Sequence, residues 1–83
     1  MPTVAIVEGV RIIFYADEHP PPHFHARFAE HTAQVKIDPV EILKGSLPPN
    51  KEAVVMNWAR AHRDELIVAW LDMEADRKPA KIE

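Results

Sequence analysis

Asp17-Glu18-His19-Pro20-Pro21-Pro22-His23-Phe24-His25-Ala26-Arg27-Phe28 is the stretch on which the reading of the chain turns. Its prolines rule out a helix, because each fixes its own φ and pushes the residue before it towards extended backbone. After them the sequence alternates. In an extended segment His23, His25 and Arg27 share one face, and Phe24, Ala26 and Phe28 share the other. A strand is therefore expected over 23–28, with two imidazoles presented side by side behind a stiff lead-in.

Working outward, Val10 to Ala16 is rich in β-branched and aromatic residues and predicts a strand, with Val10, Ile12 and Phe14 inward and Arg11, Ile13 and Tyr15 outward. Thr32 to Asp38 alternates again, with Ala33, Val35 and Ile37 inward. The three residues Ala29-Glu30-His31 between these runs predict a hairpin, although no glycine eases the turn. Val4 to Val7 reads as a strand or strand-like arm before Glu8-Gly9. Glu41 to Lys44 is a candidate edge strand between Pro39 and Gly45-Ser46. From about Asn50 to Asp76 the period becomes helical, with Val55, Trp58, Ala59, His62, Leu66, Ala69, Trp70 and Met73 on one stripe. Pro49 and Glu52 suit the first turn of that helix. The stripe keeps its phase through His62-Arg63, which favours one long helix over two, with a break near Ala61-His62 as the alternative. Residues 77–83 read as a frayed polar tail. The expected fold is α+β: a small antiparallel meander of three or four strands packed on a long C-terminal helix, as a single domain over residues 1–83.

The composition places bounds on function. The chain has 83 residues, 47% hydrophobic and 28% charged, with a net charge of −3 and no cysteine. That is the balance of an ordinary globular domain rather than a disordered or membrane chain. No apolar run approaches the ~20 residues of a membrane span. Without cysteine there is neither a disulfide nor a thiolate metal site, and Met1-Pro2-Thr3-Val4 lacks the basic and apolar regions of a secretory signal; a cytoplasmic location is expected. Net acidity gives no support to nucleic-acid binding, for which a local basic patch would be needed.

The chemistry concentrates on the outward face. A His-x-His pair on a strand points both rings one way, at a spacing that suits a divalent transition metal such as Zn²⁺, Ni²⁺ or Fe²⁺. The metal candidates are His23 and His25, with Asp17, Glu18, His19 or His62 to complete the set. The same two histidines could work without metal as a general acid and base on RNA, with Arg27 or Lys36 holding a phosphate. Against both stands the plain reading of surface histidines bonded to neighbouring main chain or carboxylates. His62, between Trp58 and Leu66, reads as a core histidine, and the two tryptophans as core residues. Interaction is the favoured function: Tyr15, His23, His25 and Arg27 form a polar, aromatic-bearing face of the kind that anchors a protein partner, or a second copy of the chain.

Glu18-His19-Pro20-Pro21-Pro22-His23-Phe24-His25 resembles the hallmark Glu-His-x-Pro-Pro-His-Phe-His of an uncharacterised family of small bacterial proteins. The likeness extends to the Met1-Pro2-Thr3 start, the strand into Tyr15, Gly45-Ser46-Leu47-Pro48 and a tryptophan-bearing helix with a charged tail. The turn at Ala29-Glu30-His31 departs from the glycine expected there. The resemblance implies a component of a compact two-gene operon in a toxin–antitoxin-like setting, with the operon neighbour as partner and a regulatory or antitoxin-like role. It implies no activity, cofactor or catalytic residue.

Overall fold

The structure, a computed structural model, describes residues 2–82. Five strands form one antiparallel meander in chain order: β1 (Thr3–Val7), β2 (Val10–Ile13), β3 (His23–Phe28), β4 (His31–Ile37) and β5 (Val40–Gly45). Two helices follow, α1 (Pro49–Ala61) and α2 (Arg63–Glu74). The sheet therefore has five strands, because the runs at Thr3–Val7 and Val40–Gly45 both pair with their neighbours, each across one register shift that leaves Val4 and Leu43 without a partner in the ladder. β2 stops at Ile13 rather than Ala16, where the chain leaves the ladder for the long connection to β3.

Short turns hold the register. Glu8 and Gly9 both have positive φ (46° and 84°), the pairing that a two-residue turn needs to match the strands' twist. The β3–β4 turn has two residues rather than three, since Phe28 already pairs with His31. Its strain falls on Ala29, at φ 53°. Gly45, at φ 78°, lies so close to β4 that a Cβ would collide with the carbonyl oxygen of Thr32.

The period-two alternation sorts the faces. Val10, Ile12, Phe14, Phe24, Ala26, Ala33, Val35 and Ile37 are buried against Val55, Ala59, Leu66, Ala69 and Trp70 of the helices. The helical stripe holds its phase, but the helix does not continue. His62 leaves helical geometry (φ −113°, ψ 23°), accepting Leu66 N–H at 3.0 Å while its own N–H donates to Trp58 O at 3.0 Å. One residue thus ends α1 and begins α2. Its ring meets Glu65 at 2.6 Å in the first turn of α2, where an acid complements the helix dipole. A single departing residue scarcely shifts the apolar phase, which is why periodicity favoured one helix. The break also separates the tryptophans: Trp70 is buried, whereas Trp58 is only partly covered and stacks on His62 at 4.9 Å. His62 is accordingly a half-exposed junction residue rather than a core histidine.

The tail expected to fray runs back to the sheet. Ile82 N–H donates to Val4 O at 2.8 Å, its side chain is buried, and Pro79 is buried too. Apolar residues at 79 and 82 supply the anchoring that a wholly polar tail lacks; Glu83 lies outside the described residues. Among the described residues, no helix is long and apolar enough to cross a membrane.

Candidate functional site

The connection between β2 and β3 builds the site. Ile13 pairs with His25 across the two strands, and Tyr15, two residues on, sets its ring edge-on to His25 with centroids 4.5 Å apart. Asp17 then takes a positive φ of 60°, a conformation Asp tolerates better than most residues. The chain folds back there and brings the Glu18 carboxylate over the histidine strand. The Pro22 carbonyl accepts Ile37 N–H at 3.1 Å, tying the end of the connection to β4.

Four side chains converge. Glu18 Oε1 contacts His25 Nε2 in a short hydrogen bond and lies 3.5 Å from His23 Nε2. The two imidazole centroids are 5.4 Å apart. His23 Nδ1 is 2.8 Å from the Pro21 carbonyl oxygen, which can only accept, so this nitrogen carries a proton. With Nδ1 held by that carbonyl, the other ring nitrogen of His23, Nε2, faces the Glu18 carboxylate. Burial pushes the Glu18 carboxyl up, but the hydrogen bond from His25 and the charges of His25 and His23 outweigh it and hold the group below the ordinary carboxylate value.

The expected site residues are not all together. Tyr15, Glu18, His23 and His25 cluster. Asp17 is exposed and lines the cavity beside them. His19 is exposed and makes no side-chain hydrogen bond among the described residues. Arg27 is exposed one alternation further along β3, and His62 is engaged elsewhere, by Glu65 and Trp58. Lys36, a candidate phosphate holder, is paired with Glu41 at 2.9 Å. The outward assignment of His23 needs correcting. Its side chain is 7% exposed because Trp70 of α2 packs on it, centroids 5.2 Å apart. Ile13, also read as outward, is buried without belonging to the main core. The outward face thus has a closed end, at Ile13, Tyr15, His23 and His25, and an open end at Arg11, Arg27 and Thr32.

Sequence reading assigned Trp70 to the core alone and missed Met73 and Glu74. With Tyr15, Asp17 and Glu18 these three line a cavity of about 260 Å³. Its wall carries three carboxylates and no cationic side chain, so it favours cations over phosphates.

The donor set fits a metal ion. One atom each from Glu18, His23 and His25 lies within 4.8 Å of the other two. Ligands bonded to one tetrahedral ion at about 2.0–2.1 Å stand roughly 3.3 Å apart, close to the His23–Glu18 separation. The Nδ1–H of His23, held by a carbonyl, is the outer bond that orients a ligating imidazole and frees its Nε2.

A family model for a domain of unknown function (DUF4160) matches residues 9–71, and the chain belongs to that family. The matched span runs from the turn before β2 to Leu71, and so contains the connection, β3 and Trp70. No curated protein and no solved structure is similar to the chain.

Proposed function

We propose that this member of the family binds a divalent transition-metal ion through Glu18, His23 and His25, with its remaining coordination positions open to the acidic cavity between the β2–β3 connection and α2. The observation that supports this reading is the convergence of two imidazole nitrogens and one carboxylate oxygen within 4.8 Å, with one imidazole held by the Pro21 carbonyl. Two nitrogens and one oxygen, without thiolate, suit Zn²⁺, Fe²⁺, Co²⁺ or Ni²⁺. Three protein ligands and an open side characterise a centre that binds or activates a further molecule; a purely structural zinc site is closed by four.

The test is titration of untagged, chelator-stripped protein with Zn²⁺ in a calorimeter and with Co²⁺ by visible absorption. One ion per chain is expected. Glu18→Gln or His25→Ala should weaken binding by more than the roughly 10–100-fold that loss of an outer hydrogen-bond partner costs. Absence of a stoichiometric ion, or full binding by His23→Gln/His25→Gln, overturns the proposal.

A second reading draws on the exposure of Arg27 beside the half-buried Tyr15 and His25. In it the chain is the docking half of a bacterial two-gene pair, cytoplasmic and regulatory or antitoxin-like, with His23 shaping the face rather than touching the partner. Retention of the operon neighbour by wild type and its loss from Arg27→Ala/His25→Ala would favour that reading. Equal retention by both would sink it.

A further inference from the structure

The strand register arranges the open end of the sheet into cross-strand rows. Ile6, Arg11, Arg27 and Thr32 form one row; Thr3, Ile13, His25, Gln34 and Lys44 form the next. Arg11 therefore stands directly opposite Arg27. Like charges so placed destabilise a sheet, and a neighbouring acid normally relieves them. Here none does: among the described residues, Arg11, Arg27 and Lys44 make no ion pair, and, unlike the other unpaired cations Lys51, Arg60, Lys78 and Lys81, they share one face of the sheet. Arg11, Arg27 and Lys44 are all exposed. A shallow cavity of about 290 Å³, lined by His25, Thr32, Ala33, Gln34, Lys44 and Gly45, adjoins them. A chain of net charge −3 thus gathers three uncompensated positive charges on one face.

The geometry points to single-stranded nucleic acid as the occupant of this face, with its phosphates on Arg11, Arg27 and Lys44. The inference goes beyond the metal reading and does not depend on it. Strands about 4.8 Å apart, and alternate residues about 7 Å apart along a strand, put Lys44 roughly 12 Å from Arg27. The charges therefore follow an extended polyanion rather than surround one small anion. Thr32 and Gln34 add neutral donors for phosphate or sugar oxygens. At the border of the patch the half-buried rings of Tyr15 and His25 leave a partly open aromatic edge for a terminal base, a contact that single-strand binders use and an acidic peptide does not need. A broad sheet face accepts an unpaired strand with its bases splayed, whereas a duplex groove takes a helix or a two-stranded ribbon.

The experiment is fluorescence anisotropy of a labelled 12-nucleotide oligouridine RNA with the full chain in EDTA, so that a failed metal site leaves the result unaffected. Binding should show a Kd on the order of 10–100 µM at 50 mM salt and weaken about twentyfold by 200 mM, the response to releasing roughly three counterions from a single strand. Arg11→Gln/Arg27→Gln should weaken binding at least tenfold and cut the salt slope to about a third. Arg63→Gln, whose arginine pairs with Asp38 and Asp64 elsewhere, should bind as wild type does. Thermal melts confirm folding of each variant, since the replaced residues are exposed. Salt-independent binding, no binding at 0.1 mM, or an unaffected double variant overturns the inference. So does equal competition by a polyglutamate of matched charge, which would make the face a docking surface for acidic protein.

Discussion

Replacing Trp70 with alanine tests both the packing and the closure of the site. The side chain is 4% exposed and belongs to the main core while its ring lies 5.2 Å from that of His23. Truncating a fully buried tryptophan costs about 3–5 kcal/mol. A chain of this length holds roughly 4–12 kcal/mol in all, at 0.05–0.15 kcal/mol per residue, so the loss takes much of the fold's stability. Trp58, only partly covered, should lose about half as much, near 2 kcal/mol. Urea unfolding followed by far-UV circular dichroism suits the comparison, because it does not depend on the fluorophores being replaced. Trp70→Phe keeps an aromatic wall on His23 and should recover more than half of the loss. A Trp58→Ala cost equal to or above that of Trp70→Ala would refute the argument, since it would mean the helix break at His62 does not divide the tryptophans as described.

Three further outcomes are expected. Ala29→Gly should stabilise the protein by about 1 kcal/mol and raise Tm by about 4–8 °C, because the native φ at Ala29 is one that glycine adopts without cost. Ile82→Ala should lower stability by about 2 kcal/mol or more in the same denaturation assay, whereas a frayed tail would show no change. In chelator-stripped protein, the folded Glu18 carboxyl lies below its unfolded value, so its contribution to stability is present above about pH 4.3 and is lost as pH falls through the folded value. Glu18→Gln should remove that part of the acid dependence, which unfolding curves between pH 3 and 6 measure.

Local alternation was enough to read the central strands. His23–Phe28 has the expected bounds, and the inward set from Val10 to Ile37 is buried apart from Phe28, which packs on the core while only partly covered. What escaped was non-local or had no periodic signature. His62 breaks the helix through its own φ and ψ, without glycine or proline to announce it. His23 alternates like a surface residue, yet Trp70, 47 positions later, covers it. The position of Glu18 over the histidines depends on the turn at Asp17, where no pattern in the sequence specifies a positive φ. Arg11 and Arg27 could be placed on one face from sequence, but their opposition needs the strand register. The polar tail concealed two anchors, Pro79 and Ile82, among five charged or small neighbours.

The packing of Trp70 on His23 also imposes an order of events on biosynthesis. His25 is polymerised 45 residues before Trp70, an interval of roughly 2–9 s at 5–20 residues per second. Through that time the imidazoles and the glutamate beside them have no indole wall. A ribosome stalled before codon 70 leaves the cluster uncovered, and any ion or chaperone that captures it does so on a nascent chain. Slowing translation between codons 26 and 70 lengthens that exposure without altering a single residue of the finished protein.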